Sequence, residues 1–104
     1  MPELTVDIIR YVDAAQPGWV ECRLIDAWGK QHSVIDKVPI FTAGDLTETS
    51  AYPQPGIIAC AIVRCWQDPQ GRKIVTIDTN TPWGVESSTG QTQFDVLAAE
   101  LTGF

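Results

Sequence analysis

The stretch WVECRLIDAWGKQHSVIDKV, residues 19–38, decides the fold class of this chain. Over residues 19–26 apolar and polar side chains alternate, which is the pattern of a half-buried β-strand. Residues 27–30 (AWGK) form a short break that contains a glycine, and a second strand pattern follows over residues 31–38. Two such strands joined by a short glycine-containing turn predict an antiparallel β-hairpin.

Strand patterns continue on both sides of this hairpin. They occupy residues 4–12, residues 73–78, and the most apolar run of the chain, IIACAIVRCW from Ile57 to Trp66. The apolar run has hydrophobic side chains on both faces, which predicts a strand covered on both sides, either central or at an interface. Residues 85–87 and 91–97 are predicted to form a further hairpin with Gly90 at a bulge.

Six or seven short antiparallel strands with turns every 8–12 residues predict a mainly β protein, a small barrel or a sandwich. A barrel is the favoured form because closure removes edge strands. The segment at residues 39–56 is rich in Pro and Gly and long for a connection, so we expect either a helical turn around residues 45–50 or a functional role. At the C-terminus, residues 92–102 fit a strand or a helix. We expect a strand to about Leu97 and a short helical turn after it.

Length and charge bound the class of protein. The chain has 104 residues, which predicts a single domain over residues 1–104. Its 7 Lys and Arg face 13 Asp and Glu, and a net charge of −6 does not supply the basic face that nucleic acid requires. The sequence contains neither an apolar run of about 18 residues nor a basic start followed by an apolar stretch. We therefore expect no nucleic-acid partner, no membrane span and a cytoplasmic location.

The three cysteines, Cys22, Cys60 and Cys65, support the same location. An odd number of cysteines with no leader favours reduced thiols in a cytosol. Cys60 and Cys65 are five residues apart, a spacing that points them to opposite faces of one strand. We expect both to be small buried hydrophobic residues, with no disulfide between them.

His32 is the one histidine and therefore the centre of any histidine-based catalytic device. Asp36 follows on the same strand face, but the chain contains no nucleophile motif. Cys22 and His32 lie across the hairpin, yet two ligands do not make a zinc site. We expect a structural or surface histidine, with no metal and no cofactor.

Aromatic residues in turns and at strand ends carry the functional prediction. Candidates for an interaction surface are Tyr52, Trp83, Glu86, Trp66 and Trp28. Tryptophan in a loop suits an interface anchor, but it can also plug the end of a small barrel. For Trp83, between Pro82 and Gly84, we expect the plug, with Glu86 accepting hydrogen bonds from nearby backbone or from an Arg.

Four motifs resemble those of a group of short, stand-alone bacterial proteins of unassigned function. They are W-V-E-C-x-L-x-D-A-x-G-K at residues 19–30, I-D-K-V-P-I at 35–40, Y-P-x-P-G-x-I-A-C at 52–60 and T-P-W-G-V-E-S at 81–87. The resemblance covers nearly the whole chain. It implies a bacterial, cytosolic, single-domain protein and carries over no catalytic residues.

Three functions remain open at this point. The leading hypothesis is a non-enzymatic protein-interaction or binding module, whose partner is a protein or a second copy bound through the run from Ile57 to Trp66. The first alternative is a small ligand-binding or hydrolytic barrel that uses His32, Asp36 and Glu86 in one cleft. The second is an acidic immunity-type protein that neutralises a basic toxin.

Overall fold

A computed structural model of the chain describes residues 1–103, and over these residues the protein is mainly β. Eight strands form two antiparallel sheets in this part of the chain, with one four-residue helix and one 3-10 turn. The elements are β1 (Glu3–Asp13), β2 (Trp19–Ile25), β3 (Gln31–Lys37), α1 (Val38–Phe41), β4 (Gln54–Ala59), β5 (Ala61–Gln67), β6 (Lys73–Asp78), β7 (Gln93–Leu97), the 3-10 turn Ala98–Glu100 and β8 (Leu101–Thr102).

The first sheet has the order β3-β2-β1-β4, and the two-residue β8 also pairs with β1. The predicted hairpin is confirmed, since β2 and β3 pair in continuous register from Trp19 opposite Lys37 to Ile25 opposite Gln31. Alternation explains which face is buried, because each second residue of a strand points to the same side. Leu4, for example, is only 1% exposed, whereas its neighbour Thr5 is exposed.

The second sheet has the order β5-β6-β7 and shares one hydrophobic cluster with the first. Each aliphatic side chain that is fully buried there stabilises the fold by roughly 1.5–3 kcal/mol. The first sheet contributes Leu4, Val6, Ile8, Val20, Cys22, Leu24, Val34 and Ile58, and the second contributes Val75, Ile77, Phe94 and Val96, with the partly buried Ile62 packed against them.

The apolar run from Ile57 to Trp66 is not one strand covered on both sides, as the sequence suggested. It divides at the buried Cys60 into β4 of the first sheet and β5 of the second. The Cys60 amide donates to the Pro2 carbonyl (3.0 Å), which fixes this corner. After the corner most of β5 is exposed, and Cys65 is an exposed thiol rather than a buried one.

Two local predictions are wrong and one is confirmed. Residues 45–50 contain a turn closed by the Ser50 amide on the Thr47 carbonyl (3.2 Å), and the helix lies earlier, at α1, where Pro39 suits the first helical turn. Residues 85–87 form no strand. At the C-terminus β7 ends at Leu97 and a 3-10 turn follows, as expected. Among residues 1–103, no helix combines the length and the apolar character of a membrane span.

Candidate functional site

The turn between β2 and β3 is built around the carboxylate of Asp26. Its Oδ1 accepts hydrogen bonds from the amides of Trp28 and Lys30, both at 2.9 Å. The Asp26 amide donates to the Lys30 carbonyl (3.0 Å), and the Gly29 amide donates to the Asp26 carbonyl (3.1 Å). Gly29 has φ +80°, a conformation that only glycine adopts at little cost. Four hydrogen bonds therefore fix the backbone that carries Trp28.

The second carboxylate oxygen ties the same turn to the interior. Asp26 Oδ2 lies 2.9 Å from His32 Nε2, and the two side chains are only 9% and 6% exposed. The His32 ring packs edge-on against Phe94, with 4.9 Å between ring centres. The Ala27 amide donates to the Asp95 carbonyl of β7 (2.8 Å). The turn is thus anchored to the second sheet in two ways. His32 joins Asp26 to Phe94 of β7 through side chains, and the Ala27 amide joins the turn to β7 through the backbone.

The turn between β5 and β6 repeats this construction around Asp68. Asp68 Oδ1 accepts from the amides of Gln70 (3.0 Å) and Arg72 (2.8 Å). The Asp68 amide donates to the Arg72 carbonyl (3.1 Å), and Gly71, with φ +80°, donates to the Asp68 carbonyl (2.9 Å). Asp68 Oδ2 accepts from Nε of Arg72 (2.7 Å). The shared pattern is D-x-x-G followed by Lys or Arg.

A third turn of the same form uses a hydroxyl instead of a carboxylate. Ser87 Oγ accepts from the amides of Thr89 (3.3 Å) and Gln91 (3.1 Å), and Gly90 has φ +82°. The Ser88 amide donates to the Ser33 carbonyl on β3 (2.8 Å). Gly90 therefore lies in a tight turn rather than at a strand bulge.

The two aspartate turns meet, and their meeting brings two tryptophans together. Nη1 of Arg72 donates to the Ala27 carbonyl (3.1 Å), and its guanidinium lies 5.4 Å from the Trp28 ring centre. The Trp28 and Trp66 ring centres are 6.1 Å apart, and the Arg64 guanidinium lies 4.9 Å from the Trp66 ring. We call Trp28, Trp66, Arg64 and Arg72 the double-tryptophan patch. Each cation over an indole at this distance contributes about 0.5–1 kcal/mol.

The patch rests on the face of the second sheet that points away from the main core. Trp66 lies opposite Ile74, which is fully buried although it lies outside the main cluster. Trp66 Nε1 donates to Thr76 Oγ1 (3.2 Å), and that hydroxyl donates to Asp95 Oδ1 (2.6 Å). Trp66 is therefore held in one orientation, while Trp28 remains 52% exposed. A groove lined by Cys65, Trp66, Gln67, Lys73, Ile74, Val75 and Ala98 adjoins the patch.

Electrostatics set this region apart from the rest of an acidic protein. Four of the seven cationic residues of the chain lie in this region. Lys30 and Arg72 lie in the two turns, Lys73 follows the second turn, and Arg64 lies on β5 two residues before Trp66. Burial raises the pKa of both turn carboxyls, but hydrogen bonds outweigh it. Those from His32 and the turn amides lower the pKa of Asp26, and those from Arg72 and the Gln70 amide lower that of Asp68. Both carboxylates are ionised at neutral pH and fully engaged in their turns.

Of the five predicted surface residues, the structure brings Trp28 and Trp66 together and leaves the others elsewhere. Tyr52 is partly buried against the main core, and its hydroxyl donates to the Thr47 carbonyl (2.6 Å). Trp83 is 62% exposed, so the expected plug is wrong: its loop turns outward. Glu86 is exposed and accepts no hydrogen bond from any group within residues 1–103, contrary to expectation.

The structure does not bring together His32, Asp36 and Glu86, the three residues of the predicted catalytic cleft. The partner of His32 is Asp26 rather than Asp36, whose Oδ1 accepts from the adjacent Lys37 amide (2.8 Å). The cavity beside His32 is lined by Ile9, Glu21, Cys22, Arg23, Gln31 and Ser33. Neither Asp36 nor Glu86 reaches it. In the described part of the chain, no three His, Cys, Asp or Glu side chains form a group that could hold a metal ion.

Sequence reasoning missed the residues that organise the patch: Asp26, Asp68, Arg64 and Arg72. One signal for the first two was present, because D-A-W-G-K and D-P-Q-G-R share their spacing. Comparisons with known proteins add no relative, since no family model, curated protein or solved structure matches the chain.

Proposed function

We propose that this protein is a non-enzymatic protein-interaction module and that its contact surface is the double-tryptophan patch. The observation that carries the proposal is the contact between two partly exposed indoles, that of Trp28 in the turn after β2 and that of Trp66 near the end of β5. Tryptophan and arginine are the residues most enriched among those that dominate binding energy at protein interfaces. The patch consists of these two residue types alone.

Rigidity supports the same function. An exposed aromatic side chain loses little conformational entropy on binding when its backbone is already fixed, and this increases affinity. Trp28 lies on a turn closed by four hydrogen bonds, and Trp66 is oriented by the Thr76 hydroxyl. The contact surface is therefore organised before a partner arrives.

The positive charge around the patch favours an acidic partner. The patch and its margins carry Arg64, Arg72, Lys30 and Lys73, whereas the chain as a whole has a net charge of −6. Complementary potentials favour encounter and suppress wrong partners. We expect an acidic segment with an apolar or aromatic side chain that lies against the indoles.

The proposal includes the architecture and the setting of the module. We propose an open sandwich, in which the buried faces of the two sheets cover one another. Support comes from a single hydrophobic cluster that contains residues of both sheets. Ile8 and Val34 belong to the first sheet, and Ile77 and Phe94 belong to the second. A cytoplasmic location is favoured by three cysteines that all remain free thiols.

A peptide-display selection tests the proposed surface. A library of random peptides is selected on the immobilised wild-type protein and, in parallel, on the Trp28→Ala/Trp66→Ala variant. We expect acidic peptides with apolar anchors to be enriched on the wild type and lost on the double variant. Trp83→Ala is the matched control because Trp83 is also an exposed tryptophan (62%, against 52% for Trp28) but is not part of the patch.

Binding is then measured for the enriched peptides by fluorescence anisotropy. The proposal fails if these peptides bind the double variant as tightly as the wild type, or if Trp83→Ala abolishes binding instead. Replacing Arg64 by Glu gives a further check, since an acidic peptide should then bind at least about tenfold more weakly, a difference of about 1.4 kcal/mol.

A further inference from the structure

Apart from the two-residue β8, the sheets of the described residues have four edge strands, β3, β4, β5 and β7, and three of these edges are covered or interrupted at one point. On β3 the Ser33 carbonyl accepts the Ser88 amide, and on β7 the Asp95 carbonyl accepts the Ala27 amide, both at 2.8 Å. In β4, Pro55 interrupts the row of donors. Proline and covering loops are the usual protections of a sheet edge.

The edge of β5 lacks these protections. The strand contains no proline, and within residues 1–103 its outer side receives no backbone hydrogen bond. Val63 is 50% exposed and Cys65 is also exposed, while Arg64 is the one charged residue of the strand. A row of unpaired backbone groups with this composition is a template for another strand.

We propose that β5 pairs antiparallel with β5 of a second copy of this chain, with Cys65 on the two-fold axis. The two three-stranded sheets then form one six-stranded sheet. Of the partners considered from sequence, a second copy is favoured because the strand is complementary to itself in this register. In a two-fold interface each contact occurs twice, so one favourable pair counts twice.

The register follows from the side chains. With Cys65 on the axis, Arg64 lies opposite Trp66 of the other copy, and each guanidinium gains a second indole to stack on. Centring the pair on Arg64 would oppose two guanidinium groups, which is destabilising. Centring it on Val63 would use the position where the ladder of β5 with β6 shifts register. Centring it on Trp66 leaves only a short overlap before the strand ends at Gln67.

This assembly goes beyond the proposed function, because pairing of β5 places two double-tryptophan patches in one dimer. A two-fold axis perpendicular to the sheet keeps both double-tryptophan patches on the same face. Each Trp66 lies beside the axis, so the two patches become one continuous surface. Such a surface presents two equivalent contact areas, which raises the avidity for a partner that has two matching segments.

Analytical ultracentrifugation of the full chain at about 100 µM and about 0.15 M salt tests the pairing. We expect the wild type to have twice the mass of the 11.4 kDa chain. Cys65→Lys places two ammonium groups opposite one another and should yield the monomer. Ile35→Lys is the matched control, because Ile35 is an exposed apolar residue on another edge strand, β3, and this variant should remain dimeric.

Thiol oxidation tests the register. Residues directly opposite each other in an antiparallel pair have Cα atoms about 4.5–5.5 Å apart, within the range of disulfides. Diamide, which takes two electrons and two protons from a pair of thiols, should link Cys65 to Cys65. Cys22 and Cys60 are buried, and burial raises their pKa to about 12 and about 11, so neither competes.

The control for this oxidation is Cys65→Ser/Val12→Cys, which moves the exposed thiol to another exposed position. We expect the wild type to crosslink at least about tenfold faster, because pairing raises the local thiol concentration to the millimolar range. Equal rates, or a wild type that sediments as a monomer, would overturn the pairing. So would a Cys65→Lys variant that stays dimeric. None of these outcomes alters the peptide selection, which a monomer can still pass.

Discussion

The turns around Asp26 and Asp68 have the same backbone hydrogen bonds but different second partners. Asp26 directs its remaining oxygen to the buried His32, whereas Asp68 directs its own to Arg72 within the same turn. The first turn is consequently fixed to the interior, and the second is closed on itself. The difference shows that one local pattern can serve two purposes, since the first supports a tryptophan and the second supplies the arginine that packs on it.

The largest effect is expected for Asp26→Ala. The change leaves the amides of Trp28 and Lys30 without their shared acceptor and His32 buried without its partner, so the free energy of unfolding should fall by roughly 2–4 kcal/mol. Urea denaturation measures the loss. Asp26→Asn keeps an oxygen for the turn amides and should lose less. If both variants are as stable as the wild type, the turn is not anchored by this carboxylate.

Acidification should weaken both turns together. The pKa values of Asp26 and Asp68 lie below the ordinary 3.8, and that of Glu21 lies below 4.5 because of hydrogen bonds from Ser33 and Arg10. A lowered pKa in the folded state stabilises the protein above the unfolded pKa, and this contribution is lost as the pH falls through the folded value. We expect Tm to fall with pH below about 4.5. In Asp26→Ala the fall should be shallower, and an identical slope would contradict this assignment.

Asp68→Ala should affect the patch more than the fold. Without its carboxylate, Arg72 loses the hydrogen bond that aligns its guanidinium over Trp28. We expect a smaller loss of Tm than for Asp26→Ala, together with a change in tryptophan fluorescence. Ser87→Ala removes the corresponding acceptor from the third turn and should leave the fluorescence of the patch unchanged. The comparison of the two aspartate turns fails if Asp68→Ala is the more destabilising variant.

The smallest effect is expected for Trp83→Ala. The side chain is 62% exposed and belongs to no aspartate turn, so its loss should change the free energy of unfolding by less than about 0.5 kcal/mol. A thermal melt measures the effect. In the same experiment Trp66→Ala, which uncovers Ile74 and leaves the Thr76 hydroxyl without its donor, should be clearly less stable. A large loss for Trp83→Ala would mean that the side chain plugs the fold after all.

Much of the fold was predictable because its signals are local. Alternation in residues 19–38 located the hairpin, and the strand pattern at residues 4–12 located β1. The end of β7 and the turn after it were also found. The strand corner at Cys60 was not, because an uninterrupted apolar run looks the same whether it stays in one sheet or crosses between two.

The candidate site was only half predictable. Trp28 and Trp66 were singled out because they lie at strand ends, but their contact joins residues 38 positions apart and has no local signature. Arg72 was missed for the same reason, since its position over the Trp28 ring depends on where the two turns lie. Arg64 was missed although it lies only two residues before Trp66 on β5. Trp83 was misjudged because Pro82 and Gly84 restrict the backbone without deciding which way the side chain faces.

The sequence alone determined strand periodicity and the glycine-containing turn of the first hairpin, since both depend on neighbours within a few residues. The tertiary structure decided which turn carboxylate is buried, which tryptophans touch and which sheet edge stays open. Those outcomes depend on long-range packing, in which the same hydrogen-bonded turn meets the core in one place and solvent in another.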